Sequence, residues 1–309
     1  MLQQTRLFNL ECVSIGNRRL TLVITQSTGP RILSLSLDGG ENLLAEIPDF
    51  TLNCPGGGQL HLWGGHRLWY APEVAAITYL PDDQPVAVTP LPDGVIVTPP
   101  MEAATGLQKE WLIRLPDETA TVVIDHRLTN RGAATVTCAP WAITQLKTGG
   151  LAILPQAAGP RDAEGLQPNR SLALWPYTDI NSPFLQWGHR CVLISAELSA
   201  GALKIGFPNP VGWLAYHWRD TLFVKYAAYD PAADYYDFGS SSQCYCNARF
   251  LELETLGPRV TLAPGATTWH REVWQVAGNV RFTPMPAAID AVIAGQLRPI
   301  APYLAWRTD

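Results

Sequence analysis

Charged residues are scarce in this 309-residue chain: they make up 16% of it and form no long run of either sign. The formal net charge is −5, and no basic stripe is present, so we expect no nucleic acid partner. No run of 18 or more apolar residues occurs, so we expect neither a membrane-spanning helix nor a membrane partner. The first residues lack the basic and apolar regions of a secretory signal, which predicts a cytoplasmic location.

Cysteine is also sparse, with six residues and one close pair, Cys244 and Cys246. No CxxC pair or neighbouring histidine completes a metal site there, and nothing predicts an oxidising compartment. We therefore expect buried or half-buried thiols, neither metal ligands nor disulfides. The phosphate-binding patterns GxGxxG and GxxxxGK[ST] are absent as well. The sequence predicts no metal and no cofactor.

What is abundant is the alternation of apolar and polar residues that is typical of strands. Leu20–Thr25 and Arg31–Leu37 show it first, and 26 prolines and 25 glycines punctuate the later runs as in antiparallel meanders. With 47% hydrophobic residues and no linker or repeat, the chain predicts a single all-β domain over 1–309. Further strands are predicted at 108–115, 120–129, 134–144, 191–197, 203–206, 211–217, 222–229, 249–256 and 268–276.

One helix is predicted at 286–297, where apolar residues recur at helical spacing, and we expect it to pack outside the sandwich. Long loops are predicted at 53–75, 155–190 and 230–247. Because long loops on a rigid scaffold often carry function, we expect site residues in these segments.

The first candidate segment is the glycine-rich stretch 56–73. Its glycines allow close backbone approach, Arg67 offers several donors to hydroxyls or an acid group, and Trp69 offers a face on which a sugar ring can stack. The alternative is a structural crossover between sheets, with Arg67 and Glu73 forming a salt bridge.

Two further candidates lie nearer the C-terminus. Lys225 interrupts an apolar strand, so it points either to solvent or to a carboxylate, and Asp237 lies in the loop that follows. Alternation puts Glu252 and Glu254 on one face of the next strand, about 7 Å apart. Such a pair suits acid–base work, although a solvent-facing acidic strip is the alternative.

The order of several weak motifs resembles the galactose mutarotase (aldose 1-epimerase) superfamily, including its hexose-6-phosphate epimerase branch. The relevant segments are Gly29–Leu35 before Asn42–Leu44, Gly64–Pro72, His126–Asn130 before Ala139–Ala142, and Leu253–Thr255 before Leu262–Gly265. The resemblance implies a β-supersandwich of large antiparallel sheets with a short C-terminal helix. It also implies a sugar or sugar phosphate as the partner; it predicts no oligomeric state.

Enzymes of that superfamily interconvert sugar anomers with a glutamate base and, usually, a histidine acid. The resemblance makes Glu254 the base, but Pro140 and Trp141 stand where the histidine is expected. His66 is the best replacement acid, and His217 is a second candidate. The predicted substrate-binding residues are Arg67, Trp69, Trp141, Lys225, Asp237 and Glu252. We expect His66, Arg67, Lys225 and Glu254 to converge on one concave face.

Three functions remain open from the sequence. The first is an aldose 1-epimerase-like isomerase, which Glu252, Glu254 and His66 favour. The second is a non-catalytic sugar- or glycoconjugate-binding module, which the missing histidine near Trp141 favours. The third is a lyase or hydrolase site on the same scaffold, for which Glu73 is the other available carboxylate.

Overall fold

The computed structural model describes residues 2–116, 118–156, 163–281, 289 and 300–304. Strands dominate these residues, and the helices among them are single turns. The strands are β1 (Gln3–Leu7), β2 (Leu10–Gly16), β3 (Leu20–Thr25), β4 (Ile32–Leu37), β5 (Glu46–Asn53), β6 (Gln59–Ala71), β7 (Ala87–Leu91), β8 (Gly94–Thr98), β9 (Leu107–Arg114), β10 (Thr121–Asn130), β11 (Val136–Leu146), β12 (Leu151–Pro155), β13 (Ala173–Leu174), β14 (Leu185–Trp187), β15 (Cys191–Ser195), β16 (Ala202–Phe207), β17 (Trp213–Trp218), β18 (Thr221–Ala227), β19 (Ser242–Asn247), β20 (Leu251–Leu256), β21 (Val260–Leu262) and β22 (Thr267–Ala277), and the helices are α1 (Ala75–Thr78), α2 (Tyr236–Gly239) and α3 (Ala301–Leu304).

The strands form two large antiparallel sheets. The larger has 12 strands in the order β1-β2-β3-β4-β6-β11-β20-β19-β16-β13, with β5 paired to β6 and β21 paired to β11. The smaller has 10 strands in the order β14-β15-β12-β17-β18-β22-β10-β9-β8-β7. This architecture confirms the predicted all-β class. Within the described residues, no helix is long and apolar enough to cross a membrane.

The main core lies between the two sheets, because alternate side chains of each sheet point toward the other. In β3 these are Leu20, Leu22 and Ile24, all buried. Trp111 of β9 and Trp274 of β22, from the smaller sheet, belong to the same core cluster. Burying one such aliphatic side chain stabilises the fold by about 1.5–3 kcal/mol. All six cysteines are buried and free, as predicted.

Part of the outer face of the smaller sheet is also apolar. Val123, Val224 and Val273 form a cluster there with Val280 and Ile289. The helix predicted at 286–297 lies outside the described residues except for Ile289, which is helical and buried in this cluster.

The glycine-rich segment, predicted as a loop, is instead the longest strand of the larger sheet, β6. Trp63, Gly64 and Gly65 have positive φ angles of 60°, 95° and 71° and form a bulge inside it. A Cβ at Gly64 would lie 1.9 Å from the Ala45 carbonyl oxygen, and one at Gly65 2.0 Å from that of Ile32. Only glycine, which has no Cβ, can lie so close to the backbone of the neighbouring segments. The structure of the sheet itself therefore requires these two glycines. The segment predicted as a loop at 230–247 likewise ends in a strand, β19.

Candidate functional site

A cleft opens on the outer face of the larger sheet, away from the smaller sheet. It has a volume of about 370 Å³ and is walled largely by aromatic side chains. Its floor comes from side chains that alternate outward from β6, β11, β20, β19 and β16. The aromatic residues of the lining are Phe50, Trp69, Tyr79, Trp141, Trp175, Tyr177, Tyr245 and Phe250.

One polar group of the cleft is built around Arg67. The bulge in β6 shifts the alternation by one residue, so Arg67 and Trp69 lie on the same face as Leu62. The Arg67 guanidinium lies 4.3 Å from the centre of the Trp69 ring and donates a hydrogen bond to Glu252 at 2.9 Å. Gln145 donates to the same carboxylate oxygen at 2.9 Å. The pair is buried, so each charge depends on the other.

The second polar group is centred on Glu254, which lies just beneath the residues that line the cleft. Its Oε2 atom accepts hydrogen bonds from Trp141 Nε1 at 2.7 Å and from Lys204 Nζ at 2.9 Å. Burial raises the pKa of Glu254 to about 7, and the charge of Glu252 adds to the rise, against the opposing effect of Lys204. The carboxyl group is therefore held close to the midpoint of its titration near neutral pH.

Lys204 is held between two tryptophans. Its ammonium nitrogen lies 4.8 Å from the centre of the Trp141 ring and 4.7 Å from that of Trp175. Strand β13 pairs with β16 and brings Trp175 to this position, and Thr178 bonds both the backbone nitrogen and the carbonyl oxygen of Lys204. Gly206 leaves room beside it, since a Cβ there would lie 2.5 Å from Ser240 Oγ and 3.2 Å from the Trp175 ring.

Several buried polar atoms near these two groups have no hydrogen-bond partner within the described part of the chain. They include donors and acceptors, namely Arg67 Nε and Nη1, Gln145 Oε1, Gln243 Oε1 and Glu254 Oε1. Unpaired buried polar atoms are costly and rare in folded proteins. A mixture of free donors and acceptors suits a ligand rich in hydroxyl groups, because each hydroxyl both donates and accepts.

The structure brings together only part of the predicted site. Arg67, Trp69, Trp141 and Glu252 line the cleft, and Glu254 lies directly below them. Glu252 and Glu254 lie on one face of β20, as predicted. Both are buried, so they do not form the solvent-facing acidic strip that was the alternative. Glu73 lines the same cleft and accepts a hydrogen bond from Tyr79, so it is not the salt-bridge partner of Arg67.

His66 and Lys225 lie elsewhere, which corrects the predicted convergence of four residues. Alternation turns His66 of β6 into the space between the sheets, where its Nε2 lies 2.8 Å from His126 Nε2 and its Nδ1 lies 2.9 Å from Thr144. Lys225 of β18 reaches the same space and pairs with Glu272 at 2.8 Å. Both side chains are fully buried, behind the sheet whose outer face forms the cleft.

This buried polar cluster also contains the closest approach to a metal site among the described residues. The ligand atoms of His66, His126 and Glu272 lie within 4.8 Å of one another. The two histidines bond each other, however, and the Lys225 ammonium already occupies Glu272. A cation would have to compete with that ammonium in a dry interior, so the cluster does not fit a metal ion.

Asp237 and His217 do not line the cleft. Asp237, predicted to bind substrate, is half-buried in the turn α2 and accepts a hydrogen bond from Gln243 at 2.6 Å. Gln243 is the strand neighbour of Glu254, so Asp237 lies one residue removed from the site. His217 lies 2.8 Å from the Val280 carbonyl oxygen, in the smaller sheet and away from the cleft.

Lys204 is the main site residue that the sequence did not reveal. Between Leu203 and Ile205, it has the pattern of an ordinary solvent-facing lysine on an edge strand. Only the strand order β16-β19-β20 brings it to Glu254, which is 50 residues away along the chain. Trp175 and Tyr177 were also missed, because they lie in a segment that shows no strand periodicity.

Comparison with known proteins supports the fold. A galactose mutarotase-like protein from Lactobacillus casei aligns with 86% of this chain and 100% of its own, with a TM-score of 0.57 and 12% identity. A candidate aldose 1-epimerase from Klebsiella pneumoniae aligns with 96% of this chain and 87% of its own, with a TM-score of 0.57 and 11% identity. A TPR-domain containing protein from Parabacteroides distasonis aligns over 94% of this chain and 50% of its own, with a TM-score of 0.60 and 14% identity.

No protein-family model and no curated protein matches the sequence. At identities of 11–14%, the structural likeness shows a shared fold. The predicted galactose mutarotase-like supersandwich is thereby confirmed.

Proposed function

We propose that this protein, which has the galactose mutarotase-like fold, binds a sugar or sugar phosphate in the cleft and interconverts its anomers. Glu254 is the base in this proposal: it takes the proton of the C1 hydroxyl as the sugar ring opens and returns it on reclosure. Rotation about the C1–C2 bond between these steps exchanges the anomers. The reaction transfers protons and breaks and re-forms the C1–O5 bond of one molecule, with no change of oxidation state, and the proposed mechanism uses neither metal nor nucleotide.

The observation that carries the proposal is the environment of Glu254, which raises its pKa and leaves one of its carboxylate oxygens without a partner among the described residues. A base for this reaction must accept and release a proton near neutral pH, and burial raises the pKa of this carboxyl group to about 7. One of its oxygens is held by Trp141 and Lys204, while Oε1 has no partner among the described residues. The aromatic walls offer faces for the apolar side of a pyranose ring, and the unpaired donors and acceptors suit its hydroxyls.

The alternative is a sugar-binding module without catalysis. The observation that favours it is the lack of histidine among the residues that line the cleft, because the resemblance calls for a histidine acid. Binding alone would use the same walls and the same unpaired polar atoms. The two proposals therefore differ in rate enhancement, not in affinity.

The first prediction tests the base. We expect the wild-type protein to accelerate the mutarotation of at least one member of a panel of aldoses and aldose phosphates, followed by polarimetry with and without EDTA. Glu254→Gln keeps the shape and an acceptor for Trp141 but cannot take the proton, so the rate enhancement should fall by about 100- to 10,000-fold. The variant should retain the circular dichroism spectrum of the wild type.

Glu110→Gln is the matched control, because Glu110 pairs with Arg127 on the smaller sheet, away from the cleft. We expect it to keep the full rate. If a sugar binds but its mutarotation is not accelerated, the binding module is the correct description. If no sugar binds, both functions are wrong and the cleft serves another purpose.

A further inference from the structure

The ion pair between Lys204 and Glu254 has features that a purely structural pair does not need. Lys204 is 4% exposed and Glu254 is 0% exposed, so both charges have been removed from water. An apolar pair of similar volume would often give equal or greater stability at such a position. The lysine also belongs to the lining of the cleft, which brings its ammonium group to the place where a ligand would lie.

We propose that Lys204 is the general acid of the site, the group that protonates the ring oxygen when the sugar opens. The inference rests on the proposed function and supplies the acid that the sequence could not locate. His66 was the expected acid, but it lies between the sheets with its ring nitrogens bonded to His126 and Thr144.

The step balances with Glu254 and Lys204 alone. The O1–H proton passes to Glu254, the C1=O1 double bond forms, and the C1–O5 bond breaks with its electron pair remaining on O5. O5 takes a proton from the Lys204 ammonium, which becomes a neutral amine. On reclosure, the amine removes the O5 proton, O5 attacks C1, and Glu254 returns its proton to O1.

The geometry fits this division of roles. O1 and O5 are bonded to the same carbon, so an acid and a base that serve them must lie close together, as Lys204 Nζ and Glu254 Oε2 do at 2.9 Å. Glu254 Oε2 is held by Trp141 and Lys204, whereas the buried Oε1 has no hydrogen-bond partner in the described chain and is the atom to which we assign the proton of O1–H.

The surroundings of Lys204 hold its ammonium group in place. Trp141 and Trp175 lie on either side and stabilise the cation through their ring faces. Thr178 fixes the backbone of the same residue. The ionisable groups near the pair are Glu252, which lies two residues from Glu254 on β20, together with Tyr177 and Tyr245 of the cleft wall.

Replacement of Lys204 by arginine tests whether the lysine acts as a proton donor or only as a positive charge. Lys204→Arg keeps the positive charge, the partner for Glu254 and the ability to stack on tryptophan, but a guanidinium does not give up its proton near neutral pH. We expect kcat for mutarotation to fall by about 100-fold or more, while sugar affinity measured by calorimetry changes only a few-fold.

A second variant protects the test against a folding defect. Lys204→Ala leaves a space between the two tryptophans, and we expect added methylamine or ethylamine to restore part of the rate in proportion to its concentration. Lys109→Arg is the matched control, because Lys109 also pairs with a carboxylate, Glu102, and lies over an aromatic ring, Tyr70. It lies on the smaller sheet and should leave the rate unchanged.

The outcomes separate this inference from the function on which it rests. Loss of rate in Lys204→Arg together with rescue of Lys204→Ala by amines supports the acid role. An active wild-type protein whose Lys204→Arg variant keeps most of the rate, or whose Lys204→Ala variant is not rescued, overturns the acid role alone. A wild-type protein that binds sugar without accelerating mutarotation overturns both proposals.

Discussion

Glu254 and its hydrogen-bond donors set the pH at which the proposed chemistry can run. Only the ionised carboxylate can accept a proton, and burial raises its pKa to about 7. We therefore expect kcat/KM for mutarotation to rise with pH through about 7, since this parameter reports the free enzyme. A flat profile from pH 5 upward would contradict the assignment of Glu254 as the base.

Trp141 offers a finer test at the same scale. Its N–H donates to the Glu254 carboxylate and so lowers the pKa of Glu254, against the effect of burial. Trp141→Phe keeps an aromatic face beside Lys204 but removes this donor, so the acid limb of the pH profile should move to higher pH. In Trp175→Phe the donors to Glu254 remain, and the limb should stay in place.

At the residue scale, the sequence was sufficient for residues whose orientation follows from the alternation within their own strand. Glu252 and Glu254 could be placed on one face because alternation fixes the direction of side chains within a strand. Lys204 could not be found in the same way, because its importance comes from a partner two strands away in the sheet. His66 was expected beside Arg67 because this segment was predicted as a loop, whereas in the strand β6 these two neighbours point to opposite faces of the sheet.

At the scale of single elements, β6 shows most clearly what alternation alone misses. Leu60 and Leu62 precede the bulge, and Arg67 and Trp69 follow it, yet all four belong to the cleft face. An uninterrupted strand would turn Arg67 to the opposite face from Leu62. The strands β3, β10 and β22 have no such interruption in their alternation, and their predicted and observed bounds differ by one residue at most.

The bulge gives a prediction for Gly65→Ala. At φ 71° an added Cβ would be strained and would also lie 2.0 Å from the Ile32 carbonyl oxygen, so β6 would have to move away from β4. Gly39→Ala is the control: its φ of 73° is nearly the same, but nothing lies within 4 Å of the added atom. The control should lower the free energy of unfolding by about 1–2 kcal/mol.

We expect Gly65→Ala to cost clearly more than this control in urea unfolding. It should also weaken sugar binding, because displacement of β6 moves Arg67 and Trp69 in the cleft. Equal losses of stability in the two variants would show that the close contact with Ile32 is relieved without moving the strand.

At the scale of the whole molecule, the two sheets enclose a polar cluster within an otherwise apolar core. His66, His126, Thr144, Thr255 and Glu272 are linked there through hydrogen bonds or through Lys225. A buried polar group is tolerated only when it is paired, so this cluster favours one alignment of the sheets over others. The sequence predicted the sheets from their periodicity, but it could not predict which strands face each other across the core.

The cluster makes the stability of the protein depend on pH. Burial lowers the pKa of His126 and His270 to about 3 and that of His66 well below its usual value, so all three are neutral in the folded protein near neutral pH. Their ordinary value in an unfolded chain is about 6.5. The stabilisation they provide is thus present above pH 6.5 and is lost as the pH falls from there toward 3.

Glu254 acts in the opposite direction. Its pKa is raised in the folded protein, so it takes up its proton on the way down from pH 7, before the unfolded chain does, and this stabilises the fold at lower pH. Between pH 6.5 and 5, unfolding therefore lets three histidines gain protons and makes one glutamate lose its proton. The net uptake of about two protons on unfolding predicts that the free energy of unfolding decreases as the pH falls. The decrease is about 3 kcal/mol per pH unit in the range where the three histidines of the unfolded chain are fully protonated.

Urea unfolding at pH 7.5 and at pH 5.0 measures this loss, in a range above the titration of ordinary carboxylates. His270→Gln retains a side-chain amide next to Thr255 but cannot be protonated. The free energies of unfolding at the two pH values should therefore differ less than in the wild type, by the contribution of one histidine out of three. His189→Gln, which changes an exposed histidine, should leave the difference intact. If the wild-type protein is equally stable at both pH values, protons enter the folded core freely and the three histidines are not held neutral by burial.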